Sequence, residues 1–317
     1  MVLMEQLLKD SARIKSLEIQ GATNVAISAI NFMCEYANRI SKNLSKDQIL
    51  TELYHAREIL INTRDTEPAM RNGLNFIMNQ LEKQKGVLSK NNLIDRISYY
   101  RDEFKQLIKN SKEKIAEIGA RRFPDSVNKK QFTVMTHCHS SVVNSIFMKA
   151  KEQGKDNFKV IATETRPILQ GRKTVKKLLK NRIEVIHIVD SAMRWAVNNL
   201  DVDLIIIGAD SLTSEGTIIN KIGSRLLALV AHEEHVPFYV ASPLLKYNPE
   251  TSFGILEKIE MRSPNEIWQD APESLQILNP AFETVSRRYI DGLISEAGIF
   301  APSHVHSYFA KLYPDLI

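Results

Sequence analysis

Cysteine is almost missing from this chain of 317 residues, in which Cys34 and Cys138 are the only two. Two thiols cannot build a disulfide framework or a cysteine-based zinc site, and their scarcity fits a reducing compartment. Also missing is any apolar run of the ~18 residues that a membrane span needs. Met1 to Asp10 lacks the apolar core of a secretory signal. A cytoplasmic protein without membrane association is therefore expected. Neither G-x-G-x-x-G after the first strand nor G-x-x-x-x-G-K-[ST] occurs, so a nicotinamide cofactor or an ATP-type phosphate loop has no support. No internal repeat or low-complexity stretch is apparent. Charge of one sign is in little excess. A net charge of +5 suits anionic substrates or loose contact with nucleic acid, but a solvated basic face explains most of it, and no direct nucleic-acid binding is expected.

What is present is an ordinary globular composition, 44% hydrophobic and 25% charged, able to bury a sizeable core. The length suggests about two domains. Residues 1 to about 120 hold one proline, Pro68, and read as helical almost throughout. Ala26, Ile30, Met33, Ala37 and Ile40 recur at spacings of four and three, which puts them on one helix face, with Cys34 beside them as core. Further helices are expected around 46–62 and 68–85, the latter opening with Asp65, Thr66 and Glu67 as cap and first-turn acids and Pro68 as a tolerated first-turn proline. A long charged helix over 91–121 follows, its Lys and Glu residues read as a solvated face.

The polar stretch Arg122 to Asn128, with Pro124, marks the domain boundary. Beyond it, short β-branched apolar runs at 132–135, 159–162, 185–189, 204–207 and 238–241 alternate with amphipathic segments, the signature of a parallel sheet wound with helices. The expected class is α/β: a Rossmann-like parallel sheet domain, 125–317, catalytic and dimerising, preceded by an all-helical amino-terminal domain, 1–124.

In such a sheet the polar residues after each strand gather on one edge, where ligands bind. That edge would hold Cys138 and Ser140, Thr163 to Pro167, Asp190 and Ser191, Gly208 to Ser211, and Ser242 to Lys246. Cys138 with Asp210 makes an acid–base pair. A thiolate takes a proton from carbon and a protonated carboxyl gives one to oxygen, provided burial raises the carboxyl and cationic neighbours lower the thiol. Asn220 and Lys221, read at a helix start, and Lys246 offer donors suited to phosphate. Competing readings stay open: Cys138 as a buried small hydrophobe, Asp210 as an N-cap or turn acid, both lysines as solvated, His137 and His139 as metal ligands on one side of an extended strand, and a Cys–His nucleophilic pair.

THCHS at 136–140, TETRP at 163–167, GADS at 208–211, INKIGS at 219–224 and NPAF at 279–282 resemble the family uniting archaeal ribose-1,5-bisphosphate isomerases, methylthioribose-1-phosphate isomerases and the alpha, beta and delta regulatory subunits of translation initiation factor 2B. The likeness covers nearly the whole chain and is greatest to the bisphosphate isomerases. It implies a cofactor-independent aldose–ketose isomerase turning ribose 1,5-bisphosphate into ribulose 1,5-bisphosphate, in nucleotide salvage. On that likeness Cys138 and Asp210 are catalytic, and Gly21, Ala22, Arg64, Ser140, Asn220, Lys221 and Lys246 contact substrate; no metal is implied. It also implies a homo-oligomer, a dimer or a hexamer-of-dimers type, with a nucleotide as candidate effector. The alternative is a regulatory protein of the initiation-factor type that binds sugar phosphate or nucleotide without catalysis. Three segments depart from the family pattern. The usual Arg-Gly-Ala-Gly reads Gln20-Gly21-Ala22-Thr23, Thr-Arg-Pro-Thr reads Thr63-Arg64-Asp65-Thr66, and the Asp-x-Thr-Pro after NPAF reads Glu283-Thr284-Val285-Ser286. Arg166, Arg71 and Arg225 are candidates to replace the lost cationic fork.

Overall fold

Five helices come first in the computed structural model, which describes residues 2–40, 44–64, 66–125 and 130–317. They are α1 (Val2–Lys15), α2 (Ala22–Ile40), α3 (Lys46–Ile61), α4 (Pro68–Gln84) and α5 (Lys90–Ala120). The spacing argument for α2 is borne out: Ala26, Ile30, Met33, Ala37 and Ile40 are all buried, as is Cys34. A Ser45–Gln48 capping box starts α3, and Pro68 occupies the first turn of α4. The expected capping of α4 is corrected. Glu67 is its N-cap residue but makes no side-chain cap bond, and the Thr66 hydroxyl donates instead to the Lys258 carbonyl at 2.9 Å. Asp65 lies outside the described residues, as does the Ser126 to Asn128 part of the connection.

The sheet region contributes β1 (Phe132–Thr136), α6 (Ser141–Glu152), β2 (Phe158–Thr163), α7 (Gly171–Lys180), β3 (Glu184–Ile188), α8 (Met193–Asn199), β4 (Leu204–Ile207), β5 (Ser211–Leu212), β6 (Ile218–Lys221), α9 (Ser224–Glu233), β7 (Phe238–Ala241), β8 (Phe282–Val285), β9 (Gly292–Ser295), β10 (Gly298–Phe300) and α10 (Val305–Leu312). All five expected strands form. They join β9 and β10 in one seven-stranded sheet of order β10-β9-β7-β4-β1-β2-β3, parallel except for the β9–β10 hairpin. Side chains alternate between its faces. Val134, Val160 and Ile206 face a cluster with Phe147 and Ala120, while Met135, Ile161 and Ile205 face a cluster that continues into Met33, Leu74 and Phe104 of the helical region. Both faces are covered, as a parallel sheet requires. Among the described residues no helix is long and apolar enough to cross a membrane.

A second, antiparallel sheet of order β5-β6-β8 corrects another expectation. Asn220 and Lys221 lie on β6, paired with Glu283 and Phe282 of β8, and not at a helix start. The helix begins later, after Gly223 (φ 102°). Glu283 supplies its missing cap, accepting from the Gly223 and Arg225 amides at 2.6 and 3.0 Å, so this departure from the family pattern has a structural use.

Candidate active site

The order of the main sheet places a topological switch point at β1 and β4, where successive connections leave in opposite directions. Cys138 comes after β1 and Asp210 after β4. A cleft of about 250 Å³ opens there, and Gly21, Ala22, Arg64, Cys138, Ser140, Asp210, Asn220, Lys221 and Lys246 all line it. The helical region supplies its other wall.

Cys138 has a left-handed backbone, φ 70°, a conformation that costs a residue with a Cβ about 1–2 kcal/mol. Neighbouring loops hold it there. Its amide donates to Thr165 Oγ1 at 3.0 Å, its carbonyl accepts from the Thr174 hydroxyl at 2.9 Å, and its thiol donates to Gln170 Oε1 at 3.4 Å. Burial pushes the thiol up to about 11; Lys221 pulls it down and Asp210 pushes it up, but neither overcomes burial. Cationic neighbours therefore do not outweigh burial, and the resting group is a thiol.

The turn at Cys138 also breaks the strand alternation on which a two-histidine metal site depended. His137 Nε2 donates to the Ile222 carbonyl at 2.8 Å and its Nδ1 lies 2.6 Å from Thr163 Oγ1, so both ring nitrogens are engaged within the protein, and burial is the chief cause that lowers the ring's pKa. His139 turns the other way, to Thr174 at 3.0 Å. Asp190, gathered at the predicted edge, is an anchor: its carboxylate accepts from the Thr165 and Arg166 amides at 2.8 and 2.7 Å.

Asp210 precedes a strand, β5, which removes its N-cap reading. Its loop packs closely against Ser140 because Gly208 has no side chain; a Cβ there would lie 2.8 Å from Ser140 Cβ and Oγ. Ser140 caps α6, accepting from the Val143 amide at 3.3 Å. Neither lysine is a solvated surface group. Lys221 is buried, its Nζ 4.4 Å from the Phe282 ring centroid, and Lys246 Nζ donates to the Ala209 carbonyl at 2.5 Å. The Asn220 amide is oriented by Ser224 Oγ at 2.8 Å.

Several cleft residues escaped sequence reasoning: Gln170, Lys112, Glu67 and Arg262. Lys112, on the face of α5 assigned to solvent, turns into the cleft, and its pKa is lowered by burial and then by Lys177. Arg64 is buried and engaged, its Nη2 at 2.9 Å from Glu260 and 3.5 Å from Glu67. Arg262 is held by Glu266 and stands 3.8 Å from Glu260. The three arginines considered as compensation do not line the cleft: Arg166 donates to the Ile267 carbonyl, Arg71 lies 3.5 Å from Glu257, and the Arg225 amide binds Glu283. Gln20 does line it, accepting from Lys173 Nζ at 3.3 Å.

A Rossmann-like sheet with a thiol, a carboxyl and several cations at its switch point defines an α/β protein whose cleft suits a small anionic ligand. More narrowly, the chain belongs to the Initiation factor 2 subunit family, whose profile matches residues 18–302. It is 38% identical over 309 residues to a ribose 1,5-bisphosphate isomerase of Archaeoglobus fulgidus, covering 94% of this chain and 91% of that one. Among solved structures it is similar to a translation initiation factor eIF-2B of Pyrococcus horikoshii, with TM-score 0.78, 27% identity and coverage of 94% and 98%. A 5-methylthioribose 1-phosphate isomerase of the same organism gives TM-score 0.77 at 25% identity, covering 96% and 88%.

Proposed function

We propose that this protein is an intramolecular aldose–ketose isomerase that converts ribose 1,5-bisphosphate to ribulose 1,5-bisphosphate in cytoplasmic nucleotide salvage. The observation that carries the reading is that Cys138 and Asp210, in the loops after the two strands that flank the switch point, line one cleft together with several cations. The relatives named for this reaction support it.

Asn220, Lys221, Lys246 and Arg64 hold the phosphorylated ends of the sugar through charge-assisted bonds. The reaction uses Cys138 in its thiolate form and Asp210 in its protonated form. Asp210 then gives a proton to the ring oxygen and the ring opens. The Cys138 thiolate removes the C2 proton, the electron pair forms the C1–C2 double bond of an enol, and Asp210 recovers a proton from the C2 hydroxyl as the ketone forms. Cys138 returns its proton to C1. The helical part, 1–124, brings Gly21, Ala22, Arg64 and Lys112 to a cleft whose reacting groups come from 125–317.

The test is to incubate the protein with ribose 1,5-bisphosphate and monitor ribulose 1,5-bisphosphate, with Cys138→Ser and Asp210→Asn as controls. Conversion by the wild type and loss of it in both variants is expected. Equal inactivity of all three with retained phosphosugar binding would replace this reading with the regulatory, non-catalytic one.

A further inference from the structure

Glu67 is enclosed, with 2% of its surface exposed, and its two oxygens are in different situations. Oε1 lies 3.5 Å from Arg64 Nη2. Oε2 has no hydrogen-bond partner among the described residues. A buried polar atom left unpaired is costly, so it marks a place where a further group is due. The side chain caps nothing; it lines the cleft.

The charged groups around it come from separate elements: Arg64 from its own loop, Asp210 after β4, Lys246 after β7, and Glu260 from the segment between β7 and β8. Arg64 is already shared between Glu67 and Glu260, and Arg262 leans on Glu260 and Glu266. A phosphate dianion brought to Arg64 therefore meets carboxylates as well as a guanidinium. If Glu67 is ionised the new charge is repelled; if it is neutral, its unpaired oxygen carries a proton and becomes a donor.

We propose that Glu67 is a specificity-determining residue that makes the Arg64 end of the cleft take up an anion together with a proton, protonated Oε2 donating to the anion and ionised Glu67 repelling it. This deepens, and rests on, the phosphosugar reading above. Burial holds the Glu67 carboxyl near neutrality, at about 7, with Arg64 and Lys246 pulling it down and Asp210 and Glu260 pushing it up. The Glu67 carboxyl thus changes its proton content across the physiological range, and a bound anion extends the protonated form to higher pH.

The experiment is calorimetric titration of the full chain with inorganic sulfate, which stays a dianion from pH 6 to 9, in buffers of different ionisation enthalpy. Wild type is expected to take up close to one proton per sulfate at pH 8 and to lose about tenfold in affinity between pH 8 and 9. Glu67→Gln, whose amide cannot ionise, is expected to flatten that loss and to bind sulfate at least tenfold more tightly than wild type at pH 9. Lys112, whose pKa is lowered, persists in the variant, so a slope surviving Glu67→Gln is assigned to it and overturns the proposal. Absence of proton uptake, or of sulfate binding by wild type at pH 6, overturns it as well. The uptake measurement needs no variant. Proton-linked sulfate binding by a protein that does not convert ribose 1,5-bisphosphate leaves this proposal standing and removes the isomerase reading; catalysis with pH-independent binding does the reverse.

Discussion

Cys138 and Thr165 occupy loops after neighbouring parallel strands, both with left-handed backbones (φ 70° and 63°), and the Cys138 amide donates to Thr165 Oγ1 at 3.0 Å. Each loop holds the other in a conformation that neither residue type favours. Strain of this kind persists where the surroundings over-determine it, and clusters at working sites. The consequence is measurable. Cys138→Gly, free of the Cβ penalty, is expected to be more stable than Cys138→Ala by about 1 kcal/mol in denaturant unfolding. Equal stabilities would mean that the turn is unstrained.

The same thiol is chemically muted at rest. With burial raising it to about 11, against about 8.5 for a free thiol, little thiolate exists at pH 7. Alkylation of Cys138 by iodoacetamide should run at least about a hundredfold slower than that of free cysteine, and rise about tenfold per pH unit towards pH 10. Cys34 does not confuse the assay, since burial pushes it up to about 12. Lys221→Met should slow labelling further, because Lys221 is the largest influence lowering the Cys138 pKa. Labelling at the free-thiol rate at pH 7 would refute the resting thiol.

Two glycines near the site should respond in opposite ways. A Cβ on Gly171 would sit 1.7 Å from the Thr163 carbonyl oxygen and 2.9 Å from its carbon, a backbone clash that no rotamer relieves. Gly171→Ala should therefore lose at least ~3 kcal/mol of stability or fail to accumulate as folded protein. A Cβ on Gly21 meets nothing within 4 Å, although φ is 86°. Gly21→Ala should lose only about 1 kcal/mol, the left-handed backbone penalty. Thermal unfolding of the two variants side by side checks the contrast.

Much of this site was legible because local pattern and topology did the work. The five apolar runs became β1, β2, β3, β4 and β7. A parallel sheet necessarily collects the loops leaving its strand ends on one edge, so the sequence alone groups Cys138, Asp210 and Lys246. Ile218 to Lys221 misled because four residues do not distinguish a strand from the approach to a helix, and β9 and β10 are as short or shorter. Glu67 and Arg262 were invisible for another reason. Their roles arise from chain-distant partners, as where Arg64 meets Glu260 across 196 residues, and no spacing encodes that.

Two groups lining the cleft should tilt stability against pH in opposite senses. His139 is held down to about 4 by burial and then by Lys177, Lys173 and Lys112. Its folded pKa lies below the unfolded value of about 6.5, so the unfolded chain binds more protons between those values; the contribution is present above pH 6.5 and lost as pH falls towards 4. Glu67 works the other way. Raised to about 7 from 4.5, it binds more protons when folded, so its contribution is full below pH 4.5 and lost as pH rises to 7. The two offset each other through the shared window. Glu67→Gln removes one side of the balance: on the order of 1–3 kcal/mol should be gained at pH 8 relative to wild type and little at pH 4.5, leaving a steeper rise of stability with pH. Urea unfolding of both proteins at pH 4.5, 6 and 8 measures that slope, and a variant curve parallel to wild type would show that Glu67 does not titrate in this window.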